Sequence, residues 1–249
     1  MNTLTLSRVA ENQWHAIEND LVVGRGHASR RLDGRTFLSI DTWRDAVFDQ
    51  LAVAMLADRS VPVYTVVDEA DRELTASWER AGFTRERRES EFAVPTGVTP
   101  VDPPSGVAIE TAPAEAPLRE LDRAIRAEVE ATVGWQTMPA EVLPWQGGTR
   151  PLDPSTYTVA TKDGRYVGLV RVATRTRRPR IGLVAVLATE RRHGIARSLL
   201  SHVLAELHRA GTVAVTAEVD ETNTAALALF EELGAEHTGG SLELISRKA

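Results

Sequence analysis

VAVLATERRHGIARSLL, residues 184–200, is the stretch on which the fold assignment turns. The apolar run 181–187 enters a short polar turn containing Gly194, and a helical apolar pattern starts at once with Ile195, Leu199 and Leu200. Strand, turn and helix are predicted in that order. A helix start presents unpaired backbone N–H groups and the positive end of its dipole, a combination that suits a phosphate. Gly194 allows close backbone approach, and Arg191, Arg192, His193 and Arg197 surround the turn with positive or potentially positive charge. Taken alone, the same pattern fits an ordinary strand-to-helix connection with solvated arginines.

Working outward, the chain repeats itself. At a shift of 152 positions Val67, Asp68 and Glu69 fall on Val219, Asp220 and Glu221, and Trp78, Glu79 and Gly82 fall on Phe230, Glu231 and Gly234. Upstream at that shift Val47, Phe48, Leu51 and Met55 meet Leu199, Leu200, Val203 and Leu207, the apolar face of one helix in each half. Each half thus holds a helix, a β-rich run and a second helix that stops at glycine. Residues 94–105, VPTGVTPVDPPS, are rich in proline and glycine and show no periodicity. The expected organisation is a first module at 1–95, a linker at 96–105 and a second module at 106–249.

In the second half, strands are predicted at 107–110, 157–161, 167–174, 181–187, 213–219 and 242–245. Helices are predicted at 118–132, 195–209 and 224–233, and 133–148 has no clear period. Strands first, then alternating helix and strand, indicate an α+β fold with a mixed sheet.

Arg191-x-x-Gly194-x-Ala196 is similar to the R/Q-x-x-G-x-G/A signature of the GNAT family of N-acetyltransferases, and it follows a strand, Val184-Ala185-Val186, as in that family. Glu218-Val219 and Asn223, followed by Ala226, Leu229 and Gly234, resemble the family's E-V-x-x-x-N-x-x-A-x-x-L-Y-x-x-x-G element. The resemblance covers 106–246, and its second half recurs in the first module. It implies two GNAT-like modules in tandem, each a mixed, mostly antiparallel sheet flanked by helices. It also implies an acyl-coenzyme A, with acetyl-CoA expected and no metal. Pantetheine would pair with Val184, Ala185 and Val186. The pyrophosphate would rest on the turn and helix start formed by Arg191, Arg192, His193, Gly194, Ile195, Ala196 and Arg197. Asn223 and Phe230 would lie close to the cofactor.

In that family an amine attacks the thioester directly, which calls for a base, an oxyanion partner and a proton for the thiolate. The resemblance makes Glu218 the candidate base; a salt-bridged strand carboxylate is the competing reading. Arg180 stands where other members carry a carboxylate base, and an arginine cannot serve as one. Phe230 stands where the family's tyrosine acid would be. Glu128, Glu130, Trp135, Met138 and Trp145 are candidates for an acceptor pocket, against a reading as solvated acids and core aromatics.

In the first module the same shift lays Arg191–Ala196 over Ser39, Ile40, Asp41, Thr42, Trp43 and Arg44. Thr42 replaces the glycine and Asp41 brings a carboxylate where a pyrophosphate needs positive charge. No coenzyme A is expected there. Residues 1–13 hardly accommodate the family's opening strand and two helices, so this module is expected to borrow core from the other half.

Composition narrows the remaining classes. The chain has 249 residues, no cysteine and a formal charge of −6, which removes disulfides, thiolate metal sites and a cysteine nucleophile and disfavours nucleic acid as partner. No run of apolar residues is long enough to span a bilayer, so a cytoplasmic protein with no membrane partner is expected. The resulting expectation is an N-acyltransferase acting on the amine of a small molecule, with a homodimer left open. The alternatives are a non-catalytic acyl-CoA sensor and an aminoacyl-tRNA-dependent transferase.

Overall fold

Small residues alternate along one strand of the first half, at Gly24, Gly26 and Ala28, and this spacing lets a helix lie directly on the sheet. A methyl group added at Gly24 would stand 2.7 Å from Val47 Cγ1 and 3.0 Å from Leu51 Cδ1. The computed structural model describes residues 4–31, 33–57, 62–132, 134, 152–173 and 178–247. Its contacts divide into two compact units, Met1–Arg88 with Gly239–Ala249, and Glu89–Thr238. The chain has an α+β fold made of two GNAT-like modules.

The first unit opens with the antiparallel strands β1 (Thr5–Ala10), β2 (Gln13–Glu18), β3 (Leu21–Arg30) and β4 (Thr36–Asp41). Helix α1 (Asp45–Ala57), strand β5 (Val63–Asp68) and helix α2 (Arg72–Arg80) follow. Strand β5 lies parallel to β4, with Thr36 opposite Val63 and Phe37 opposite Tyr64. The apolar face of α1 (Val47, Phe48, Leu51, Met55) packs with Trp78 of α2 and with Phe83. Edge-to-face contacts join Phe48 to Trp78 at 5.0 Å and Trp78 to Phe83 at 4.8 Å.

Two strands cross the boundary between the units in sequence. Strand β6 (Thr84–Pro95) begins in the first unit and ends in the second, whereas β12 (Glu236–Ser246) does the reverse. The end of β12 completes the first unit's sheet, pairing antiparallel with β5 from Ser241 opposite Asp68 to Ser246 opposite Val63. Leu244 is fully buried in the α1 core, and Ile245 joins Phe37 and Tyr64 on the other face. That other face carries Arg35, bonded to Glu243 at 2.7 Å, and Arg31, stacked 3.5 Å over Phe37. Burial lowers the Arg31 pKa, and nearby Glu243 opposes the shift. The first module therefore does draw part of its core from the far end of the chain.

The second unit's sheet runs β6-β11-β10-β9-β8-β7, built from β7 (Val107–Thr111), β8 (Tyr157–Lys162), β9 (Arg165–Ala173), β10 (Arg180–Val186) and β11 (Ala214–Asp220) with the end of β6. Only β10 and β11 are parallel in it. Helix α4 (Ile195–Arg209) buries Leu199, Leu200, Val203 and Leu204 against Val170, Val172, Ile181, Ala217 and Val219. On the opposite face α3 (Glu115–Ala131) sets Leu118, Leu121, Ile125 and Val129 on Tyr157, Val159, Leu169 and Leu183. Helix α5 (Thr224–Glu232) follows β11. Residues 96–105, expected as a linker, are bonded to this unit: Thr96 Oγ1 donates to Thr212 and Val213 carbonyls, and the Val101 amide donates to Ser201 Oγ at 2.9 Å.

The repeat is structural as well as sequential. Asp71 caps α2 by accepting from the Leu74 amide, and Asn223, 152 positions later, caps α5 by accepting from the Ala226 amide. Gly82 and Gly234 close the two helices with φ of +92° and +73°, values that favour glycine. No described helix is long and apolar enough to cross a membrane. Truncating Leu244 to alanine should cost about 2–5 kcal/mol in urea denaturation, as for a fully buried leucine. It should also speed amide exchange along β5 first; acceleration confined to residues 89–238 would contradict the strand assignment.

Candidate functional site

Backbone pairing locates the site. Parallel β10 and β11 are joined only at Arg180–Thr216 and Ile181–Ala217. The β9–β10 register slips between Ile181 and Leu183, so Gly182 is the extra residue of a bulge at the point where β10 leaves β11. Beyond it Val184, Ala185 and Val186 remain paired to β9 on one side, while the ladder to β11 has stopped. A strand edge with free N–H and C=O groups inside a sheet can accept an extended ligand as a further strand.

The edge leads into the turn. After β10 a short 3-10 turn, Ala188–Glu190, precedes Arg191, and Gly194 stands at the N-cap of α4 with φ +83° and ψ −1°. Arg192 also has a positive φ, +66°. A methyl group at Gly194 would meet only Pro104 Cγ, at 3.9 Å, so backbone conformation, not crowding, calls for glycine. No side chain caps α4, which leaves the first-turn amides of Ile195, Ala196 and Arg197 to other partners. Arg192 and His193 are exposed, and His193 Nδ1 lies 3.2 Å from the Glu190 carbonyl.

A clasp that sequence reasoning missed holds this turn in place. Glu128 on α3 accepts the Ala188 amide on both carboxylate oxygens at 3.0 Å and pairs with Arg191 Nη2 at 2.8 Å. Arg191 Nε donates to the Val186 carbonyl at 2.9 Å, so its guanidinium braces the loop from within. Lys162 Nζ donates to Glu190 Oε2 at 2.8 Å, and this hydrogen bond raises the lysine pKa. Glu128 was expected in an acceptor pocket; its carboxylate is engaged by the loop instead. Glu130 is exposed, and Trp135, Met138 and Trp145 lie outside the described residues.

The other expected residues are dispersed in role. Asn223 is the cap of α5. Arg197 reaches Glu232 at 3.6 Å, both about half exposed, a contact of little energetic weight. Phe230 is buried in the core, its ring stacked on Phe92 at 6.3 Å, in the position that Trp78 holds in the first unit. Glu218 is the first β11 residue past the last β10 pair. Its Oε1 accepts from Arg180 Nη1 at 2.6 Å. Glu91 of β6 lies directly opposite Glu218 in the ladder, and its side chain is exposed.

The corresponding turn of the first unit is absent, not substituted. Three residues, 42–44, connect β4 to α1, where eight, 187–194, connect β10 to α4. Ser39, Ile40 and Asp41 belong to β4, so the ungapped comparison with Arg191, Arg192 and His193 fails there. Thr42 Oγ1 donates to the Val23 carbonyl at 2.9 Å and accepts weakly from the Arg44 amide at 3.4 Å.

A model of the acetyltransferase (GNAT) family matches residues 121–235. In three dimensions the chain is similar to a GCN5-related N-acetyltransferase from Sphaerobacter thermophilus, with TM-score 0.69 and 18% identity over 97% of this chain and 82% of that one. It is similar to a tandem GNAT protein from the clavulanic acid biosynthesis pathway, with TM-score 0.65 and 15% identity over 94% of this chain and 82% of the other. A GCN5-related N-acetyltransferase from Kribbella flavida aligns over 99% of this chain and 91% of its own, at TM-score 0.63 and 15% identity. No curated protein matches. At these identities the solved structures bear on the fold.

Removing the clasp should loosen the turn without unfolding the unit. In Glu128→Ala the amides of Ala188 and Arg191 should exchange faster by about 5- to 100-fold, the worth of a charge-assisted bond, while α4 amides keep their protection. Unchanged exchange at Ala188 would show that the carboxylate does not hold the loop.

Proposed function

The chain carries a domain of the GNAT acetyltransferase family at residues 121–235, and from that premise we propose that the second unit is an acyl-CoA-dependent N-acyltransferase acting on the amine of a small molecule, with acetyl-CoA as donor. The observation that carries this reading is the parting of β10 from β11 immediately before an uncapped, glycine-started helix. An extended amide chain followed by a pyrophosphate matches that sequence of partners: strand edge first, helix amides second.

In this reading Val184, Ala185 and Val186 hold the pantetheine amides. The amides of residues 192–197 receive the pyrophosphate, and Arg192, His193 and Arg197 add charge at its exposed side. Arg191 acts at one remove, through its bonds to the Val186 carbonyl and Glu128. Asn223 contributes by fixing the start of α5.

Glu218 is the proposed base. Its carboxylate can draw an ammonium toward the thioester, while its bond to Arg180 at 2.6 Å occupies one of the two oxygens. Phe230, hydroxyl-free and buried, offers no proton to the departing thiolate, so solvent supplies it; a thiol pKa near 8.5 makes thiolate a fair leaving group. The same two observations favour a second reading, in which the unit binds acyl-CoA without turning it over. Thioester cleavage measured with a panel of amines separates them: amine-dependent release of CoA supports transfer, and binding without release supports sensing.

Gly194→Glu replaces the left-handed residue and sets a carboxylate against the phosphate position. Calorimetric binding of acetyl-CoA should vanish while far-UV dichroism stays native. Thr42→Glu, in the shortened turn of the first unit, should leave binding within about twofold, because no phosphate site is expected there. Glu218→Gln should lower turnover by about 10²- to 10⁴-fold with little change in cofactor affinity; undiminished turnover would reject Glu218 as the base.

A further inference from the structure

Arg171 of the second unit has a buried nitrogen with no hydrogen-bond acceptor among the described residues. Arg171 lies on β9 between Val170 and Val172, which face α4, so its side chain is on the α3 face of the sheet. Its ladder partners there are Tyr157 on β8 and Leu183 on β10, both members of the apolar cluster under α3. Arg171 is half-buried, its Nη1 is fully buried, and among the described residues that nitrogen has no hydrogen-bond acceptor. A guanidinium N–H withdrawn from water without an acceptor is costly, and such groups in a native fold ask for an explanation.

The place where this group sits is informative. A methyl group added at Gly182 would stand 3.3 Å from Arg171 Nη1, so the guanidinium rests on the bulge where β10 leaves β11. Arg180 and Glu218 occupy the same face, since Ile181, Ala217 and Val219 point into the α4 core. Of the two arginines, Arg180 is committed to Glu218 at 2.6 Å, whereas Arg171 forms no such pair among the described residues.

We propose that Arg171 is a specificity-determining residue that binds a carboxylate of the substrate beside the reacting centre. A guanidinium fork matches a carboxylate geometrically and gains most where water is excluded. The carboxylate has two possible bearers: the acceptor, which is then an amino acid whose ammonium faces Glu218, or the acyl group of a dicarboxylic thioester. This inference rests on the acyltransferase reading of the same cleft.

The test uses the full-length protein, binding calorimetry and the variant Arg171→Met, which keeps the stem and removes the charge. Proteinogenic amino acids and their α-amides are titrated into CoA-saturated protein, and succinyl-CoA is compared with acetyl-CoA. Wild-type protein should bind an amino acid about 10- to 100-fold tighter than its amide, or succinyl-CoA tighter than acetyl-CoA by a similar factor, and Arg171→Met should erase that preference. The first pattern assigns the carboxylate to the acceptor, the second to the acyl group. Because Arg171 Nη1 has no structural partner among the described residues, the variant's thermal midpoint should not fall; a lower midpoint together with a retained preference would make Arg171 structural and overturn the proposal. Absence of both preferences in wild-type protein that binds acetyl-CoA would also overturn it, leaving the acyltransferase reading intact. Failure of wild-type protein to bind either thioester would overturn that reading itself.

Discussion

Two ladder positions hold β10 to β11, and the functional account depends on their being only two. Parallel strands inside a sheet normally satisfy each other's backbone groups along their length. Here the pairing ends at Ile181–Ala217, and the bulge at Gly182 turns β10 away while β9 keeps its far edge. The strand edge beyond the last pair, the turn that follows and the uncapped start of α4 come one after another in the chain. On the same face of the sheet stand an ion pair, Arg180–Glu218, and Arg171, whose buried Nη1 has no acceptor among the described residues.

The first unit shows what that arrangement requires. It has the same parallel pair, also joined at two positions, and a helix after it with the same apolar face. With three residues connecting β4 to α1 there is no turn to hold a phosphate, and Gly24 and Gly26 let α1 settle onto β3. The unit is completed by the end of β12, so the last strand of the chain serves the first module and β6 serves the last sheet. Such exchange makes the stability of each unit depend on residues far away in sequence.

How much of this was legible depended on whether the signal was local. Helix α4 runs over the predicted residues because Gly194 marks its start and Ile195, Leu199, Leu200 and Val203 keep a helical period. The repeat was legible because a Val-Asp-Glu run, an apolar helix face, an aromatic and a glycine recur at one spacing. Strands β1 to β3 were not read from the sequence, since small residues at Gly24, Gly26 and Ala28 carry no hydrophobic alternation. The clasp from Glu128 to Ala188 joins residues 60 apart, and the Arg180–Glu218 pair joins residues 38 apart; neither leaves a local pattern. The stacking of Phe230 on Phe92, a residue of a distant strand, likewise left no local pattern.

The central claim is that the cleft between β10 and β11 accepts a thioester of coenzyme A and that its shortened counterpart in the first unit does not. Calorimetric titration of the wild-type chain with acetyl-CoA tests this most directly. The account expects one equivalent bound per chain, with protection from amide exchange along β10 and at the start of α4. Two equivalents, or protection appearing at β4 and α1 instead, would contradict it.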